Sequence, residues 1–132
     1  MAFKLYSTDD GHVPAWEYLP VSSIKIEAGL ALAADASSGL MAASATPTHI
    51  CMRSEAEAVA EGTMIPCVKI APDQVWENML YNNATSAKVG GYADVNTTGQ
   101  YIDAKNVTNS TFLITYLEGT TMASAVRGRF VK

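Results

Sequence analysis

Four side chains in this sequence are best suited to act as nucleophile, base or metal ligand: His12, His49, Cys51 and Cys67. His49 and Cys51 stand two apart, so on a strand they share one face, and Cys67 from a partner strand would bring a third zinc ligand. Isolated cysteines outside a C-x-x-C spacing are more commonly buried thiols. That is the expectation here, ahead of a metal or a Cys51–Cys67 disulfide. Nucleophilic catalysis needs Ser, Cys or Thr beside a histidine, and His12 falls in a turn-rich stretch. No G-x-S-x-G, H-E-x-x-H or P-loop pattern occurs, and Gly90-Gly91 is followed by no helix that could carry a phosphate, so the pair reads as a turn or bulge. Carboxylates are scattered from Asp9-Asp10 to Glu118, and nothing selects two of them as an acid/base pair. The sequons at Asn83, Asn96, Asn106 and Asn109 read as turn chemistry in an Asn- and Thr-rich chain. The residues therefore predict no catalytic group, no metal, no cofactor and no enzyme.

The elements that must position these residues belong to one compact unit or two very small ones, since the chain has 132 residues. A net charge of −4 lacks the concentrated positive field that phosphate binding needs, which sets nucleic acid aside. No apolar stretch approaches the roughly 18 residues of a membrane-spanning helix, so no membrane partner is expected. The N-terminal stretch has no apolar signal region, which predicts synthesis in a cytoplasm.

Short apolar or alternating segments bounded by Gly, Asn, Pro and Ser dominate, and they predict a mainly β chain. Strands are expected at 23–26, 30–33, 40–43, 49–52, 64–70, 75–80, 87–89, 93–95, 101–104, 111–117 and 123–131. Residues 54–61 fit either a two-turn helix, with Ser54 and Glu57 as a capping box, or a surface loop.

The two halves resemble each other. Residues 25–32 align with 88–95, the Ser37-Ser38-Gly39 turn with Thr97-Thr98-Gly99, 49–52 with 112–115, and 65–70 with 125–130. This predicts two similar small β modules, barrel- or sandwich-like, at 21–72 and 73–132, with a seam at Ala71-Pro72-Asp73. Short strands of this kind must close or stack to hide their edges. Residues 1–20 fit neither copy and read as an extended N-terminal arm carrying Phe3, Leu5, Tyr6, Val13, Trp16, Tyr18 and Leu19. Such an aromatic arm either folds back on its own module or docks on a neighbouring surface.

The stretch from Ile26 to Leu32, then Ser38-Gly39-Leu40, residues 47–52, residues 62–70 and residues 72–77 resemble the small capsid decoration or head-fibre proteins of tailed bacteriophages. Residues 87–90, Gly99 and residues 126–130 extend the likeness over most of 21–131. The resemblance implies a virion structural protein that binds the outer surface of an assembled head, with the major capsid protein as partner, often as a homotrimer, and reinforces the shell. Its site would be the capsid surface. From the composition of the arm, Phe3, Leu5, Tyr6, Val13, Trp16 and Tyr18 are expected to make the capsid or oligomer contacts. One alternative is a carbohydrate- or host-binding β module using Trp16, Trp76 and Tyr101, although Val75 and Leu80 beside Trp76 predict that its ring is at least half buried. A tail or neck component and a small metal protein at His49, Cys51 and Cys67 are further alternatives.

Overall fold

The computed structural model describes residues 2–131 and is all β, with no helix among the described residues. The strands are β1 (Lys4–Thr8), β2 (Trp16–Pro20), β3 (Ala31–Ala34), β4 (Met41–Ala43), β5 (His49–Cys51), β6 (Met64–Lys69), β7 (Gln74–Met79), β8 (Tyr92–Val95), β9 (Ile102–Asp103), β10 (Phe112–Leu117) and β11 (Ala125–Phe130). They form a six-stranded sheet in the order β1-β7-β11-β10-β8-β9 and a five-stranded sheet in the order β2-β6-β5-β3-β4. Every pairing between named strands is antiparallel. The sheets stack and do not close. Pro72 and Asp73 sit where the chain leaves β6 for β7 and so changes sheet.

The duplication is visible hydrogen bond by hydrogen bond. Strands β2 to β6 repeat as β7 to β11 in the same spatial order, and β1 is added outside β7. In the first copy Val21 N–H donates to Thr63 O, Gly62 N–H to Val21 O and Ser22 N–H to Met41 O. In the second, Leu80 N–H donates to Ser124 O, Ala123 N–H to Leu80 O and Tyr81 N–H to Ile102 O. Both copies also place an isolated parallel bridge at the same point, Val21 with Met41 and Leu80 with Ile102. The register differs from the sequence alignment at the start of each copy. Leu30 N–H bonds to Glu27 O where Gly91 N–H bonds to Lys88 O, so Glu27, not Lys25, is the counterpart of Lys88.

The five-stranded sheet is the middle layer. One face sends Ala31, Ile50 and Val68 into the larger core, where they meet Trp76, Phe112, Ile114, Val126 and Phe130 of the six-stranded sheet. Its other face sends Leu32, Cys51, Ile65 and Cys67 into a smaller core roofed by Ile24, Ile26, Leu30 and Val59. This double burial explains why β6 is buried at four consecutive residues, whereas β7 and β11, with one face outward, alternate with period two. Residues 54–61 form no helix. The Glu55 and Val59 amides donate instead to Ile26 O and Ile24 O, which lays the segment across the smaller core as its roof. The expected strands at 23–26 and 87–89 do not form; these segments run irregularly into tight turns at Gly29 and Gly90, which lie at φ +97° and +87°.

One position tests the duplication energetically. Gly62 has φ +84°, and its counterpart Ala123 is held at φ +70°, a left-handed conformation that disfavours a Cβ. Ala123 is exposed, so its methyl group has little packing to lose. Ala123→Gly is expected to raise the unfolding free energy by about 0.5–1 kcal/mol, read from the urea midpoint.

Candidate adhesion surface

The expected contact residues lie on β1, β2 and the loop joining them, and the two strands go to different sheets. β1 pairs with β7, from Lys4 opposite Glu77 to Thr8 opposite Gln74, with a bulge between Leu5 and Ser7. β2 pairs with β6, from Trp16 opposite Val68 to Pro20 opposite Met64, without interruption. The first residues of the chain therefore fasten both sheets. Phe3 is buried with ring centroids 6.1 Å from Phe112 and 5.2 Å from Phe130, and Leu5 packs on the same core. Phe3 N–H donates to Gly29 O at 3.0 Å. A side chain at Gly29 would collide with the Phe3 backbone, so that glycine makes room for the arm.

The other four expected residues face outward: Tyr6 is 55%, Val13 88%, Trp16 53% and Tyr18 60% exposed. The Arg127 guanidinium lies 4.0 Å from the Tyr6 ring centroid and 4.4 Å from that of Tyr116, and its Nε donates to Glu77 Oε2 at 2.6 Å. Glu77 holds the guanidinium yet more firmly charged, which favours the cation–π stack on this outer sheet face. Arg129 donates to Asp9 Oδ1 at 2.8 Å and to Pro72 O at 3.0 Å, tying the β1–β2 loop to the β6–β7 connection. In that loop Asp10 and His12 form an ion pair that lowers the carboxyl pKa and raises the imidazole pKa. Asp10, His12 and Asp73 are the one group of possible metal ligands that come together among the described residues, and their ligand atoms lie within 4.8 Å of one another.

His49, Cys51 and Cys67 do not make such a group. Cys51 and Cys67 are directly opposed on β5 and β6, buried and free. Their thiols donate to Arg53 O and Ile65 O. Burial raises both pKa values, that of Cys67 to about 12 with further contributions from Cys51 and Glu17, which makes these poor thiolate nucleophiles. His49 Nδ1 lies 2.8 Å from Thr48 Oγ1, and Nε2 lies 3.4 Å from Glu17 Oε1.

Trp76 is 1% exposed, in keeping with its apolar neighbours in sequence, so it contributes nothing to a surface platform. Sequence reasoning missed a polar recess of about 190 Å³ lined by Tyr81, Asp94, Asn96, Asp103 and Asn106, with the Tyr81 ring tilted against that of Tyr101 at 5.7 Å between centroids. Its Asx residues serve the backbone. Asp94 Oδ1 accepts from the Asn109 and Ser110 amides, Asn96 Oδ1 from those of Gln100 and Tyr101, and Asp103 Oδ1 from those of Lys105 and Asn106. The density of Asn and Asp in 94–109 was the available signal.

Asp35 does in the first copy what Asn96 does in the second, closing the turn after the sheet strand. It accepts from the Ser37 hydroxyl and from the Ser37 and Ser38 amides. The Ser37 hydroxyl, then the Ser38 and Ser37 amides, lower its pKa to about 2. A lowered carboxyl pKa means that the turn's stabilisation is complete above the unfolded value of 3.8 and is lost as pH falls through about 2. Asp35→Asn, which keeps an acceptor oxygen but not the charge, is expected to lower the melting temperature at neutral pH slightly, and Asp35→Ala to lower it further. A carboxyl-carbon NMR titration of the unaltered protein checks the midpoint.

No protein-family model matches this chain, and no curated protein matches it.

Proposed function

We propose that this chain is a virion structural protein that binds the outside of a tailed-phage head and reinforces it, with the major capsid protein as its partner. The observation carrying this reading is the construction of the arm. Phe3 and Leu5 anchor it in the larger core, while Tyr6, Val13, Trp16 and Tyr18 stand outward from ordered backbone. Aromatic side chains held in place before contact lose little entropy on docking, which suits them as binding anchors. Cementing a shell needs no reaction. Many copies, each with modest contact energy, add up across the lattice. A mildly acidic surface also avoids capturing DNA before packaging. Made in the host cytoplasm, the protein would end on the capsid surface.

The test is binding to empty expanded heads. Saturable binding at a fixed ratio to the major capsid protein is expected, with loss of affinity in the Tyr6→Ala/Trp16→Ala double variant. Absence of binding, or undiminished binding by the double variant, overturns the assignment. A second reading, glycan binding on the virion surface, is favoured by the Asx-lined recess beside the Tyr81–Tyr101 pair. It predicts that glycans perturb the NMR signals of Tyr81 and Tyr101 and leave Trp16 unquenched.

A further inference from the structure

Unpaired sheet edges are templates for another strand, and folded proteins protect them with brevity, bulges or charge. Three of the four edges here carry such protection. β9 has two residues and β4 three, while β1 begins at Lys4 and is bulged between Leu5 and Ser7. The fourth edge, β2, runs five residues in unbroken register with β6, has no lysine, and meets proline only at its last position. Among the described residues nothing pairs with its far side.

The duplication shows what such an edge accepts. β7 is the counterpart of β2 in the second copy, and its far edge is occupied by an antiparallel strand, β1. The equivalent place beside β2 is open, flanked by Trp16, Tyr18 and Met64, each more than half exposed. Trp16, Tyr18 and Pro20 alternate along the strand and share one sheet face, with Met64 directly opposite Pro20.

We propose that β2 is a self-association edge: two copies of this chain pair β2 to β2 antiparallel about a two-fold axis at Tyr18, joining their five-stranded sheets into one. The strand is complementary to itself in that register. Tyr18 meets Tyr18 of the second copy, Glu17 meets Leu19, and Trp16 meets Pro20, so no like charges face each other and aromatic surface is covered at the centre. Centring the axis on Glu17 instead would oppose two carboxylates. The contact is isologous, so it closes at two copies and does not propagate. It gives a two-fold unit in place of the trimer that the phage resemblance implies, and it stands whether or not the protein binds heads.

The experiment is sedimentation equilibrium of the full chain from micromolar to submillimolar concentration, together with cysteine crosslinking. A monomer–dimer equilibrium is expected. Tyr18→Lys, which places two ammonium groups face to face at an exposed site, is expected to weaken dimerisation by at least about tenfold with an unchanged circular dichroism spectrum. Paired residues in an antiparallel ladder have Cα atoms about 4.5–5.5 Å apart, within disulfide reach. Tyr18→Cys is therefore expected to crosslink into a covalent dimer on mild oxidation, and Ser7→Cys on the β1 edge to form no covalent dimer. Cys51 and Cys67, both buried, do not compete. A chain that is monomeric throughout, a trimer, or a dimer trapped by Ser7→Cys but not by Tyr18→Cys overturns the proposal. Loss of head binding with dimerisation intact overturns the capsid reading alone.

Discussion

Gly128→Ala is expected to destabilise this protein by about 3 kcal/mol, at the upper end of what overpacking one methyl group costs. Gly128 lies in β11 between Ile114 on one side and Trp76 on the other. A Cβ there would fall inside the contact distance of the Leu113 carbonyl oxygen and lie 2.5 Å and 2.9 Å from Cε2 and Cζ of the Phe112 ring. The ring has no vacant space to retreat into, because Phe130 meets it edge-on at 5.2 Å and Phe3 stands at 6.1 Å. The chain's three phenylalanines thus converge where β11 has no side chain. Urea denaturation of Gly128→Ala and of Gly128→Ala/Phe112→Leu checks this. The second substitution is expected to recover part of the loss, since it relieves the ring contact and leaves the carbonyl contact. An unchanged midpoint in the single variant would refute the packing described.

Trp76→Ala is expected to cost about 3–5 kcal/mol, as large-to-small changes at fully buried aromatic sites do. The ring fills the centre of the larger core, and its indole N–H donates to Gln74 Oε1 at 3.0 Å. The same oxygen accepts from the Ala71 amide at 3.0 Å, while Gln74 Nε2 donates to Lys69 O at 3.1 Å. Gln74, itself buried, therefore braces the passage from one sheet to the next, and losing the indole removes a donor as well as apolar volume. Trp76→Phe separates the two contributions. It is expected to retain much of the packing and to lose the hydrogen bond, giving a midpoint between those of the alanine variant and the unaltered protein.

Much of the architecture was legible in the sequence where strands are half buried. The alternation in 74–79 and 125–130 follows directly from one face meeting the core. It was less legible where hydrogen bonding overrides hydrophobic pattern. Residues 23–26 alternate like a strand, yet the Ile24 amide is spent locally on Ser22 O and Ile26 O is taken by Glu55. The duplication was recognisable from its glycine turns, but its register was not, because residues 25–27 and 88–89 lie outside the paired strands, where no ladder fixes which residue answers to which. The arm shows the opposite failure. Trp16–Pro20 reads as part of an extended arm outside both copies, because Trp16, Glu17 and Tyr18 are all exposed and leave little alternation to display. Its membership in the sheet comes from a partner some fifty residues away, at Val68 to Met64. At the candidate surface, the residue types on the arm were visible in advance, while their division into anchors and outward groups depended on which sheet each strand joined. The Tyr6–Arg127–Tyr116 stack had no local signal, being assembled from three strands.

The pairing of Lys4 with Glu77 sets an order of events during synthesis. All five strands of the middle sheet have been translated once Lys69 is made, so that sheet can assemble while the remainder is still being added. β1, which precedes all of these strands in the chain, has to wait until β7 arrives, and its docking closes the longest loop of any strand pairing here. β1 is thus made before the middle sheet but finds its place after it, and a nascent chain halted before Gln74 would carry Phe3 and Leu5 exposed to chaperones.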